Sequence, residues 1–160
     1  TQFIEVRNFD LLKNSISQNK GVLLFTPHLG NIEILINYLG SEFDTTIPYT
    51  KPKNSSLDKI ITKSRNDAGV KMVPTDASGI RKILSALKEK KLVAIASDQV
   101  PKKGNGSFSK FFNNEIYSMT LLPKLQEKTD CIVHLMYSSL NVLREEKKCF
   151  RVCYSFPRKY

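Results

Sequence analysis

Short apolar runs alternate with segments of helical period along most of this chain, and that alternation restricts its fold more than any other feature. "GVLLFT" (21–26) is bounded by Gly21 and Pro27 and reads as a strand. "NIEILINYLG" (31–40) follows at helical spacing, with Gly40 as its stop. "TTIPYT" reads as a short strand and "SSLDKIITKSRNDAG" as a helix, with Ser55 or Ser56 near its N-cap and Gly69 just past its end. "VKMVP" is strand-like, and "DASGIRKILSALKEKK" is an amphipathic helix with Ile80, Ile83, Leu84 and Leu87 on one face. "LVAIAS" is apolar throughout, as a strand buried on both faces must be. The alternation predicts an α/β fold: a mostly parallel central sheet flanked by helices, with active groups at the carboxyl ends of its strands.

The rhythm breaks at "DQVPKKGNGSFSKFF" (98–112), whose glycines, serines and lysines read as a functional loop. Beyond it, "SMTLLPKLQEKT" predicts a short helix that Pro123 shifts or kinks. "CIVHLMYSS" and "KKCFRVCYSF" predict two strands joined by a turn around Asn141 to Glu146. No internal repeat or low-complexity segment interrupts this order.

At 160 residues, the chain fits one domain, 1–160. It starts at Thr1 and stops in a strand-like pattern, which suggests an excerpt of a longer protein. No apolar run approaches the ~20 residues that a membrane-spanning helix needs. The 25 Lys and Arg against 15 Asp and Glu give +10, a balance suited to nucleic acid, an anionic membrane surface or an acidic protein. Three cysteines, Cys131, Cys149 and Cys153, lie in apolar strand-like surroundings and fit a reducing compartment better than a disulfide framework. Cys149 and Cys153, four apart, would share one strand face, as core residues do.

His28 follows the first strand, and Glu33 falls in the first turn of the helix after it. On one continuous helix, residues five apart diverge by about 140°, so the two meet only if His28 precedes the helix, in a loop that Pro27 and Gly30 make plausible. A carboxylate on one ring nitrogen then fixes the tautomer and leaves the other nitrogen to take a proton from a hydroxyl. Read without that pairing, His28 ends a strand and Glu33 complements a helix dipole. A metal site is unattractive, because the chain has two histidines and no Cys or His cluster near His28. His134, within "CIVHLMY", reads as a packed or edge-strand histidine.

"HLGNIE" (28–33) matches the H-x4-D/E motif of the glycerolipid acyltransferases. The order of "GVLLFTPHLGNIEIL", "YTKPKNSSLDKIITKSRNDAGVKMVP" and "LVAIASDQVPKKGNGSFSKFFNNEIYSMTLLPKLQEKTDCIVHLMY" resembles the lipid A biosynthesis acyltransferases, the late lauroyl and myristoyl transferase family. The likeness covers nearly the whole chain. It implies a glycerolipid acyltransferase-like core that moves an acyl chain from acyl carrier protein to a hydroxyl of a lipid A precursor. In that reading His28 is the base and Glu33 its orienting acid, with Arg65 in "KSRNDAG" and Asp98 in "SDQ" at substrate-binding positions. Gln99 either orients a substrate amide or closes the turn. The likeness also implies an anchor outside this chain, at the cytoplasmic face of the inner membrane. No metal or cofactor is expected, since a thioester is already activated.

Asn113 stands where the family commonly has glycine, and asparagine tolerates the same left-handed backbone. The Phe-Pro-Glu-Gly-type block of the glycerol-phosphate acyltransferases is not in the chain, which favours the lipid A branch. Lys51, Lys53, Lys102, Lys103 and Lys110 form a candidate basic rim, with Phe108, Phe111 and Phe112 as apolar surface beside it. Such residues suit lipid phosphates, acidic acyl carrier protein or an anionic membrane surface. Two alternatives remain: acylation of another membrane glycolipid or lysophospholipid, and a basic nucleic-acid-binding module. The second has no helix-turn-helix, zinc knuckle or RNA-recognition pattern behind it, so nucleic acid is not an expected partner.

Overall fold

The computed structural model describes residues 6–139 and the backbone of 141–142 and 148–149. Helix α1 (Phe9–Ser17) precedes strand β1 (Val22–Phe25), α2 (Ile32–Glu42), β2 (Thr45–Tyr49), α3 (Ser55–Asp67), β3 (Val70–Pro74), α4 (Ala77–Lys88) and β4 (Leu92–Ile95). An antiparallel ribbon follows, β5 (Gly106–Phe111) and β6 (Asn114–Met119), then α5 (Leu121–Thr129), β7 (Ile132–Leu135) and the short pair β8 (Asn141–Val142) and β9 (Lys148–Cys149). Five strands form one all-parallel sheet in the order β3-β2-β4-β1-β7. The fold is the α/β class that the alternation predicts.

Alternate residues of the central strands enter two separate cores. Val22, Leu24, Leu92 and Ala94 pack with Leu12 of α1 and with Leu35, Ile36 and Leu39 of α2. Leu23, Val93 and Ile95 pack with Ile83, Ala86 and Leu87 of α4 and with Leu125 of α5. Both faces of β1 and β4 are therefore covered, which is why these strands carry no polar alternation. Full burial of each such aliphatic side chain contributes about 1.5–3 kcal/mol.

Asn31 caps α2, its Oδ1 accepting from the N–H groups of Glu33 and Ile34 at 3.1 and 3.3 Å. Helix α3 is capped by Asn54, one residue before the serines expected from sequence; Asn54 Oδ1 accepts from Ser56 and Leu57 N–H at 2.9 and 3.3 Å. Pro123 sits in the first turn of α5, where its missing N–H has no intrahelical partner to lose.

Within the expected loop (98–112), Gly106–Phe111 form strand β5, paired with β6, and β6 takes in Ser118 and Met119 at the start of the expected helix. Helix α1 has no counterpart in the sequence reading: its N-cap, Asn8, is left-handed and makes no side-chain cap bond. The last predicted strand, "KKCFRVCYSF", lies outside the described residues apart from the backbone at 148–149, as do Cys153 and the side chain of Cys149.

Candidate active site

Strands β1 and β4 are parallel neighbours, with Phe25 opposite Ile95 in the register. The connection leaving β1 leads to α2 on one face of the sheet, and that leaving β4 leads to α5 on the other. Their carboxyl ends therefore meet at a topological switch point, where open α/β sheets place their ligands. His28 lies three residues past Phe25, and Asp98 three residues past Ile95. The register carries on into the loops and sets the two side by side.

Asp98 holds His28 at two points. Its Oδ2 accepts the His28 backbone N–H at 2.7 Å, and its Oδ1 lies 2.7 Å from the ring Nδ1. Partial burial pushes the Asp98 carboxyl upward, but the hydrogen bonds from His28, with the Asp98 backbone N–H and the charge on the ring, together hold the group below the usual aspartate range. An ionised carboxylate only accepts, so Nδ1 carries a proton, and in the neutral ring the lone pair then sits on Nε2. The His28 side chain is 46% exposed, enough for a reactant to approach it.

Glu33 belongs to a second pair. Arg65 donates from Nη2 to Glu33 Oε1 and from Nε to Oε2, the latter at 3.4 Å. Glu33 stands in the first turn of α2 and Arg65 in the last turn of α3, so each charge also complements its helix dipole. The Arg65 side chain is 12% exposed, with its guanidinium 5.1 Å from the centroid of the Tyr49 ring, while the Glu33 side chain is 54% exposed. The acid that sequence spacing set against the imidazole is thus engaged with Arg65, and the ring is held by the acid after β4. Gln99, beside Asp98, is exposed.

The loop between β1 and α2 is braced from β7's side of the molecule. Gly30 is left-handed, and a Cβ built on it would fall 2.1 Å from the backbone oxygen of Ser138. Ser138 is itself fully buried and donates from Oγ to the Leu29 carbonyl at 3.4 Å. His28 does sit in a loop ahead of the helix, as the motif requires.

His134 is remote from this chemistry. It is buried on β7, an edge strand of the sheet, with Nε2 2.8 Å from Ser15 Oγ, and burial pushes its pKa down. Cys131 is buried and unpaired, its thiol pKa pushed up by burial. Among the described residues no cluster of three or more His, Cys, Asp or Glu is arranged to hold a metal ion, and no helix is long and apolar enough to cross a membrane.

A half-exposed imidazole held by a carboxylate at Nδ1 can exchange a proton through its other ring nitrogen. The family model described as bacterial lipid A biosynthesis acyltransferase matches residues 1–138. A comparison with curated proteins finds no match.

Proposed function

The chain belongs to the bacterial lipid A biosynthesis acyltransferase family and is an acyltransferase, and on that premise we propose that it moves a fatty acyl chain from an acyl-carrier-protein thioester to a hydroxyl of a lipid A precursor. His28 is the base and Asp98 the acid that orients it. Nε2 takes the hydroxyl proton as the oxygen attacks the thioester carbon. The tetrahedral intermediate collapses with cleavage of the C–S bond, and the proton held on Nε2 passes to the departing sulfur. Ester and free thiol are the products, and the base is restored.

Arg65 has N–H donors beyond the two spent on Glu33, and a guanidinium so held suits the developing oxyanion or a phosphate of the acceptor. Glu33 fixes the direction of that guanidinium. The work is done at the cytoplasmic face of the inner membrane, where acyl carrier protein and the acceptor lipid meet.

The observation that carries this reading is the Nδ1 contact of His28 with Asp98, which in the neutral ring puts the acceptor at Nε2. Its test is mass spectrometry of lipids after incubation of the full protein with acyl-carrier-protein donors and lipid A precursors. The expected product is the precursor plus one acyl group, and His28→Ala lowers its rate by at least about 10²- to 10⁴-fold. Because His28 is exposed, the variant keeps its stability within about 0.5 kcal/mol. Acyl transfer by His28→Ala at the wild-type rate defeats the assignment, and a product formed only from another glycolipid or a lysophospholipid moves the acceptor to that lipid.

A further inference from the structure

The chain leaving Asp98 does not return directly to the sheet. It runs out through Val100, which is 81% exposed, into the β5–β6 ribbon, which forms a two-stranded sheet of its own. The ribbon's base is stiff. Tyr117 accepts at its hydroxyl from Gly104 and Gly106 N–H at 3.0 and 3.1 Å, and its ring packs on Phe108 at 5.0 Å between centroids. Phe112 and Asn113 make the reversal at the other end, with φ of 45° and 63°. Asparagine adopts that conformation readily, but a bulky phenylalanine does so only with strain.

Phe112 is nevertheless 84% exposed, and Phe111 59% exposed, with the two rings 4.6 Å apart at the tip. A strained backbone presents an aromatic pair to solvent, at a position where Asn or Gly would relieve the strain and a polar side chain the exposure. Behind this apolar tip, Lys110 stands exposed on β5 opposite Glu115 in the register, and Lys102 and Lys103 stand exposed at the ribbon's base. Aromatic rings at the end of a rigid projection, with lysines set behind them, match the layering of a bilayer interface. Rings settle at the acyl boundary, and ammonium groups meet phosphates.

We propose that the β5–β6 ribbon is a membrane-docking finger: Phe111 and Phe112 enter the interface of an anionic bilayer while Lys102, Lys103 and Lys110 engage its phosphate headgroups. An acidic protein would use the lysines but leaves the strained aromatic tip unexplained. The ribbon leaves the same strand end as Asp98, so docking brings His28 toward the membrane surface. That consequence rests on the proposed function, but the docking itself does not.

The experiment is co-sedimentation of the full chain with vesicles free of any acyl acceptor, either pure phosphatidylcholine or phosphatidylcholine with 30% phosphatidylglycerol. Wild type partitions onto the anionic vesicles at least tenfold more strongly than onto neutral ones. Phe111→Ser with Phe112→Ser lowers that partitioning at least tenfold, and Lys102→Gln with Lys103→Gln and Lys110→Gln removes most of its salt sensitivity, each with an unchanged melting temperature. Phe112→Trp keeps an aromatic tip and reports directly, its fluorescence shifting to the blue on anionic vesicles. Wild-type partitioning by the double Phe variant, equal binding to neutral vesicles, or a tryptophan that shifts with acyl carrier protein but not with vesicles would each overturn the proposal.

Discussion

His28 owes its role to a neighbour seventy positions away, because the offset of the β1–β4 register continues past both strand ends to bring Asp98 against Nδ1. The position of His28 depends in turn on Gly30. A Cβ there meets the Ser138 backbone oxygen at 2.1 Å, and the left-handed φ of 73° adds strain of its own. Gly30→Ala is expected to cost about 1–3 kcal/mol in urea unfolding and to slow acyl transfer with it. An unchanged unfolding midpoint would mean that the loop is not braced as described. All the chemically active residues were visible as types in the sequence: an imidazole, two acids and a guanidinium. Their pairing was not, because Glu33 is five residues from His28 in the chain whereas Asp98 becomes its neighbour only through parallel register.

The helices differ in how much holds them in place. Helix α4 seats Ile83 and Leu87 in the core, but no residue of α3 is fully buried. The Asn54 cap therefore carries a larger share of the stability of α3, the helix that bears Arg65. Asn54→Ala should cost about 1 kcal/mol, read as faster amide hydrogen exchange across α3, with α4 unaffected. Exchange that rises equally in both helices would contradict this. Strands β1 to β4 and helices α2, α4 and α5 follow the sequence periodicity because their apolar faces point at a core, whereas α3 leaves Leu57 and Ile60 exposed. Ribbon β5–β6 escapes that rule: most of its residues are exposed, and cross-strand pairs such as Phe108 with Tyr117 are not marked by any local pattern. Helix α1 escapes it too, since Asn8 supplies no side-chain cap bond at its start.

Over the whole molecule, the sheet is tied to α1 through a buried polar chain. His134 Nε2 meets Ser15 Oγ, and Ser15 donates to the Leu11 carbonyl at 2.9 Å. Burial lowers the His134 pKa from its ordinary 6.5, so the unfolded chain binds a proton that the native state resists. Stability from this group is complete above about pH 6.5 and is lost as pH falls toward the depressed native value. Urea unfolding between pH 7 and 5 should show that loss in wild type and a smaller one in His134→Gln; equal slopes would remove His134 from the account. The central claim concerns the other histidine, and the measurement that tests it most directly is the acyl-transfer rate of Asp98→Asn beside Glu33→Gln. If Asp98 fixes the tautomer, Asp98→Asn loses at least about 10²-fold in kcat, more than Glu33→Gln loses. Near-wild-type kcat in Asp98→Asn, with Glu33→Gln inactive, would contradict it and return the orienting role to Glu33.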